Sequence, residues 1–140
     1  MSDLVVDASV AVKWLVPERH ADAAVVALSG EYSLLAPDLI WAEVGNTLWK
    51  KWRRRELQEA EASGLLQDFR RFPLRIYASD ALLDLAWRVA TRYRRSLYDS
   101  VYLALASHRG CQLVTADRRL YRHLERSPLG THLLWVEDLG

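Results

Sequence analysis

Short apolar runs alternate along this chain with segments whose apolar residues recur at helical spacing. Residues 4–6 form an all-apolar run of the kind that buried parallel strands use. Residues 10–15 then predict a short helix stopped near Pro17, and 18–28 a second one ended at Gly30. A strand is predicted over 33–36. Asp38, after Pro37, is placed to N-cap a long helix running through about residue 54. Further helices are predicted over 56–69, closed before Pro73, and from a Ser79 cap through about residue 92, with a strand at 74–77 between them. Ser96 opens a helix that runs to His108 and stops at Gly110. A strand at 112–115, a short helix at 118–125 and a last strand at 133–136 complete the pattern.

Strands that alternate with helices specify an α/β domain with a mainly parallel sheet and right-handed crossovers. Four to five strands between helices on both faces give a three-layer α/β/α arrangement. No internal repeat, low-complexity tract or linker divides the sequence. Its 140 residues suit a single domain over 1–140, long enough to bury roughly 68% of the unfolded surface. In such sheets the functional crevice lies at the carboxyl ends of the strands.

Four acidic residues beside apolar runs carry the candidate chemistry. They are Asp7 in Leu4-Val5-Val6-Asp7-Ala8-Ser9, Glu43 in Leu39-Ile40-Trp41-Ala42-Glu43, Asp99 in Leu97-Tyr98-Asp99-Ser100, and Asp117 in Leu113-Val114-Thr115-Ala116-Asp117. Carboxylates at the edges of buried elements are costly unless compensated, and converging ones repel unless a divalent cation sits between them. Each also has a local explanation. Asp7 or Ser9 can cap the first helix, Asp117 can cap the one at Arg118, and Ser96 to Asp99 has the spacing of a capping box. Glu43 shares a polar helix face with Asn46 and Lys50, opposite Trp41, Val44, Leu48 and Trp52, so a solvated glutamate is its plain reading. Asp7 and Asp117 follow strands directly; Asp99 reaches the same edge only if its helix N-terminus points there.

Charge and cysteine content narrow the class. The net charge of +1 conceals basic clusters, among them Lys50-Lys51 with Arg53-Arg54-Arg55, Arg70-Arg71, Arg94-Arg95 and Arg118-Arg119. Such clusters suit a polyanion such as RNA, although arginines on exposed helix faces are mostly solvation. The single Cys111 excludes an internal disulfide and a cysteine-based zinc cluster, and a free thiol fits a reducing cytoplasm. Asp3, Asp7 and Lys13 interrupt the apolar N-terminus, which is therefore neither a signal peptide nor a membrane span. His20, His108, His123 and His132 follow no metal-ligand spacing.

In order and context the four acidic segments resemble the PIN-domain proteins, specifically the VapC toxins of toxin–antitoxin pairs. The opening Val5-Val6-Asp7-Ala8-Ser9-Val10-Ala11-Val12-Lys13-Trp14-Leu15 is similar to theirs. Pro37-Asp38-Leu39-Ile40-Trp41-Ala42-Glu43-Val44-Gly45-Asn46 matches a second motif, Ser96-Leu97-Tyr98-Asp99-Ser100-Val101-Tyr102-Leu103-Ala104-Leu105-Ala106 a third, and Leu113-Val114-Thr115-Ala116-Asp117 with Leu120 a fourth. The resemblance spans essentially the whole chain. It implies a PIN fold, an endoribonuclease dependent on Mg²⁺ or Mn²⁺, a homodimer, and a cognate VapB-type antitoxin. It also implies a hydrolysis that leaves 5′-phosphate and 3′-hydroxyl ends.

Under that resemblance Asp7, Glu43, Asp99 and Asp117 are the catalytic set. Asp7 and Asp117 are direct metal ligands, Asp99 binds directly or through water, and Glu43 holds a water or a second metal. Ser9, Asn46 and Thr115 support them with hydroxyl and amide groups. A haloacid-dehalogenase-type phosphotransferase would need an acid where Ser9 stands. A response-regulator receiver would need a lysine near the last strand, and none occurs after Lys51. A PIN-like module that binds RNA or protein without cleaving is the non-enzymatic alternative. Trp14, Trp41, Trp49 and Trp52 are expected mainly in the core, with any exposed subset forming a dimer seam or antitoxin groove.

Overall fold

The computed structural model describes all residues 1–140. The apolar runs become five strands: β1 (Ser2–Val6), β2 (Tyr32–Pro37), β3 (Leu74–Tyr77), β4 (Gln112–Thr115) and β5 (Leu133–Trp135). They form one sheet in the order β3-β2-β1-β4-β5, with every neighbouring pair parallel. Parallel neighbours need crossovers, and seven helices supply them: α1 (Ala8–Ala11), α2 (Ala21–Val25), α3 (Leu39–Arg53), α4 (Glu59–Phe69), α5 (Leu83–Tyr93), α6 (Leu97–Arg109) and α7 (Arg118–Leu124). No helix is long and apolar enough to cross a membrane.

The order fixes where a site can form. From β1 the chain winds outward through β2 to β3, then returns to the other side of β1 for β4 and β5. The winding reverses between β1 and β4, which opens a crevice beyond their carboxyl ends. Asp7 is the first residue after β1, and Asp117 the second after β4.

Helix α6 lies across β1, β2 and β4. Seven consecutive residues, Ser100 to Ala106, are buried, so this helix is enclosed rather than amphipathic. Its run packs with Val5, Val6, Leu35, Leu113 and Val114 of the central strands, all fully buried in one core. Gly110 ends α6 in the left-handed conformation, at φ 62°, where a Cβ would be strained.

Several boundaries depart from expectation. The predicted helix over 10–15 begins at Ala8, because Asp7 rather than Ser9 is its cap, and it continues only as a 3₁₀ turn, Val12–Trp14. The predicted helix over 18–28 starts at Ala21, after His20 in a left-handed conformation, and ends in another 3₁₀ turn, Val26–Leu28. Gln58 and Glu61 form a capping box at the start of α4, three residues later than expected. Asp38 occupies the cap position of α3 but makes no cap bond there. Its carboxylate instead accepts hydrogen bonds from the Ser79 hydroxyl and backbone N–H. Ser79 in turn does not cap its own helix. Its hydroxyl accepts from Leu39 N–H at 3.3 Å, so it serves α3 from the end of β3.

Candidate active site

At the switch point, two strand ends are tied by hydroxyl groups. The Asp7 carboxylate caps α1, its Oδ1 accepting from Val10 N–H at 3.2 Å. The Ser9 hydroxyl donates to the same oxygen at 2.5 Å and accepts from Ala116 N–H at 3.0 Å. Ser9 Oγ also lies 3.5 Å from Thr115 Oγ1, which accepts from Asp117 N–H at 3.0 Å. Asp117 then caps α7, its Oδ1 accepting from Leu120 N–H at 3.2 Å. Capping and site formation are therefore compatible: the caps orient both carboxylates.

These groups open onto a cleft of about 610 Å³ that is also lined by Glu43, Asn46 and Asp99. Glu43 and Asn46 reach it from α3, one helical turn apart, together with Thr47 and Lys50. Asp99 reaches it from the first turn of α6, where its N–H donates to the Ser96 hydroxyl at 3.1 Å. The second half of the expected capping box is absent, since the Asp99 carboxylate instead receives Arg95 Nη2 at 2.7 Å. Thr115 is fully buried behind the cleft wall. All four acidic residues thus share one cleft, though no three of them close around a common point.

Sequence reasoning did not single out Lys13, Glu18, Tyr98 or Tyr102, which also line the cleft. Tyr102 had a readable signal, because it follows Asp99 by three residues and shares its helix face. The tryptophans divide. Trp14 and Trp41 pack against the core. Trp49 and Trp52, exposed on α3, line a separate shallow apolar groove of about 350 Å³ with Leu48, Ala62 and Leu66.

The PIN domain pattern matches residues 4–125. A curated relative, Ribonuclease VapC3 of Pyrobaculum aerophilum, is 39% identical over 119 residues, covering 84% of this chain and 91% of the relative. The chain belongs to the PIN-domain family, in its VapC branch. The solved structure of PAE2754 from Pyrobaculum aerophilum has 28% identity and a TM-score of 0.70, covering 99% of this chain and 86% of that one. VapBC2 from Rickettsia felis, solved bound to a promoter DNA fragment, shares the fold. Its TM-score is 0.68 at 14% identity, over 95% of this chain and 98% of that one.

Electrostatics within this PIN domain are unbalanced toward negative charge. Burial pushes the Asp7 carboxyl up to about 6, against the lowering effect of its Ser9, Thr115 and Val10 hydrogen bonds, and the nearby Asp117 charge adds to the rise. Burial likewise raises Glu43, offset by Tyr102 and reinforced by Asp99. Asp7, Glu43 and Asp117 have no ion-pair partner; only Asp99 has one, in Arg95. The donors are all oxygens. Such a set fits a hard divalent cation, and Mg²⁺ is commonly held by one or two carboxylates with water completing its shell. Asp7 and Asp117 fit that role best, at the two tied strand ends.

Proposed function

We propose that this VapC-family chain is the endoribonuclease toxin of a type II toxin–antitoxin pair, cutting RNA with the help of Mg²⁺ or Mn²⁺. The observation that carries the reading is the cleft itself, where two capped aspartates at the sheet's switch point and a glutamate, none of them ion-paired, share one space with a third aspartate. Asp7 and Asp117 would hold the ion, with Asp99 joining once released from Arg95. A bound divalent cation supplies charge neutralisation at the scissile phosphate and a lower pKa for bound water.

The chain's own groups do the rest. Glu43, raised by burial, takes the proton of the attacking water at its carboxylate. Ser9 and Thr115 keep Asp7 and Asp117 in register. Lys50 lines the same cleft without an ion-pair partner and attracts the phosphodiester backbone, whereas Lys13 is already paired with Glu18, and the Asn46 amide offers the backbone hydrogen bonds. Hydrolysis leaves 5′-phosphate and 3′-hydroxyl ends.

Family membership supports a VapB-type antitoxin as the controlling partner, and the groove beside Trp49 and Trp52 offers it apolar anchorage. A homodimer would cover Leu83 and Trp87 of α5 with Leu97 and Tyr98 of α6, large apolar side chains that stand exposed. The test of the ribonuclease reading is to incubate the purified protein with total cellular RNA and sequence the 5′ ends produced. New 5′-phosphate ends at a few discrete positions are expected. RNA left intact with either metal would leave a PIN-like binding module instead.

A further inference from the structure

We propose that Tyr102 is a positioning residue that fixes the Glu43 carboxylate through its hydroxyl; the inference rests on the ribonuclease reading above. Tyr102 sits on α6 one turn after Asp99 and is only 3% exposed, yet it lines the acidic cleft. Its hydroxyl is buried and completes no hydrogen bond with any protein group. It lines the same cleft as the Glu43 carboxylate, the charge with which the phenol interacts most strongly, and the Asp7 and Asp99 charges act on it less.

A buried hydroxyl without a partner is unfavourable, and phenylalanine would fill the same space without that penalty. The group therefore makes physical sense where something in the cleft accepts from it. Burial and the surrounding carboxylates push the phenol's ionisation well up, so it remains an O–H donor. Among the neighbours, Asp7 already accepts from Ser9 and Val10, and Asp99 from Arg95. Glu43 accepts from no other side chain, and its own neighbour on α3, Thr47, bonds the Glu43 backbone carbonyl rather than the carboxylate. Glu43 is thus the carboxylate of the cleft left open to accept from the Tyr102 hydroxyl. One carboxylate oxygen is then held by Tyr102, and the other faces the cleft to receive a proton. Tyr102 acts through Glu43 and touches no reacting atom.

The experiment uses the full chain and a labelled RNA oligonucleotide spanning a cleavage position found in total RNA. Single-turnover rates are measured for wild type, Tyr102→Phe, Glu43→Gln and the double variant, with melting temperatures for each. Tyr102→Phe should keep or raise the melting temperature, slow the maximal rate about tenfold, as loss of a hydrogen bond to a charged group implies, and leave half-saturating RNA concentration unchanged. In the Glu43→Gln background the same substitution should cost nothing further. In metal-free protein, its effect on melting temperature should also differ between the two backgrounds. A wild-type rate in Tyr102→Phe overturns the inference, as does a loss that adds in full to that of Glu43→Gln. A loss that tracks a fallen melting temperature, or that appears only in half-saturation, overturns it too. Wild-type protein that cuts no RNA overturns the ribonuclease reading itself.

Discussion

Arg95 holds the Asp99 carboxylate at 2.7 Å from one turn away, just outside the start of α6. Asp7, Glu43 and Asp117 have no such partner, so among the four proposed site residues Asp99 is the one that a bound cation would have to compete for. The pair is partly exposed, and pairs of that kind contribute roughly 0.2–1 kcal/mol.

Replacing Arg95 with Gln should therefore free Asp99 and tighten Mn²⁺ binding by about 1.4-fold to fivefold, the change that such a pair energy implies. Titrating the melting temperature with Mn²⁺ measures it, because binding to the folded state alone raises stability by mass action. Unchanged or weaker binding would remove Asp99 from the ion's ligands.

Asp7 gives the protein a pH dependence with a definite sign. Its folded pKa of about 6 lies above the ordinary 3.8, so the folded state binds the extra proton. The associated stability is full below pH 3.8 and is lost as pH rises through about 6, at a cost of about 3 kcal/mol above that window. Asp7→Asn removes this cost. In metal-free buffer the variant should melt higher than wild type at pH 7.5, with the gap closing toward pH 4. A gap that is constant across this range would mean that the Asp7 charge is relieved within the protein.

Ser9 joins β1 to β4 through one hydroxyl, donating to Asp7 and accepting from Ala116 N–H. Ser9→Ala leaves that N–H without its partner and should lower stability by about 1–3 kcal/mol. Cleavage should fall about tenfold in the same variant, as Asp7 loses its orienting bond. Chemical denaturation and a cleavage assay read the two effects; intact activity alongside lost stability would confine Ser9 to a structural role.

Much of the frame was legible because its signals are local. The strands at Leu74–Tyr77 and Gln112–Thr115 match the expected bounds, and Ser96 and Gly110 delimit α6 by side-chain and backbone rules that act within a few residues. What escaped depends on distant partners. Asp38 and Ser79 each look like caps of their own helices, yet they bond each other across 41 positions. The Arg95–Asp99 spacing of four residues was visible, but the capping rule for Ser96 predicted a different use of the carboxylate. Tyr102 shares a helix face with Asp99, but it lies within an apolar run that reads as core, which hid its place in the cleft.

Gly130 makes a separate demand on the fold. A Cβ there would collide with the backbone carbonyl of Glu125, which has no flexible side chain to move aside. Gly130→Ala should destabilise by about 1–3 kcal/mol, the usual cost of overpacking, detectable as a lowered denaturation midpoint. An unchanged midpoint would mean that the turn before β5 shifts freely.

The most direct test is cleavage of a labelled RNA by wild type and Asp117→Asn, first in EDTA and then with Mn²⁺ or Mg²⁺ restored. Wild type should be inert in EDTA and active once metal returns, while folded Asp117→Asn stays at least ~100-fold slower, as loss of a metal-held nucleophile implies. Cleavage at the wild-type rate in EDTA, or by Asp117→Asn, would contradict a metal-dependent ribonuclease site in this cleft.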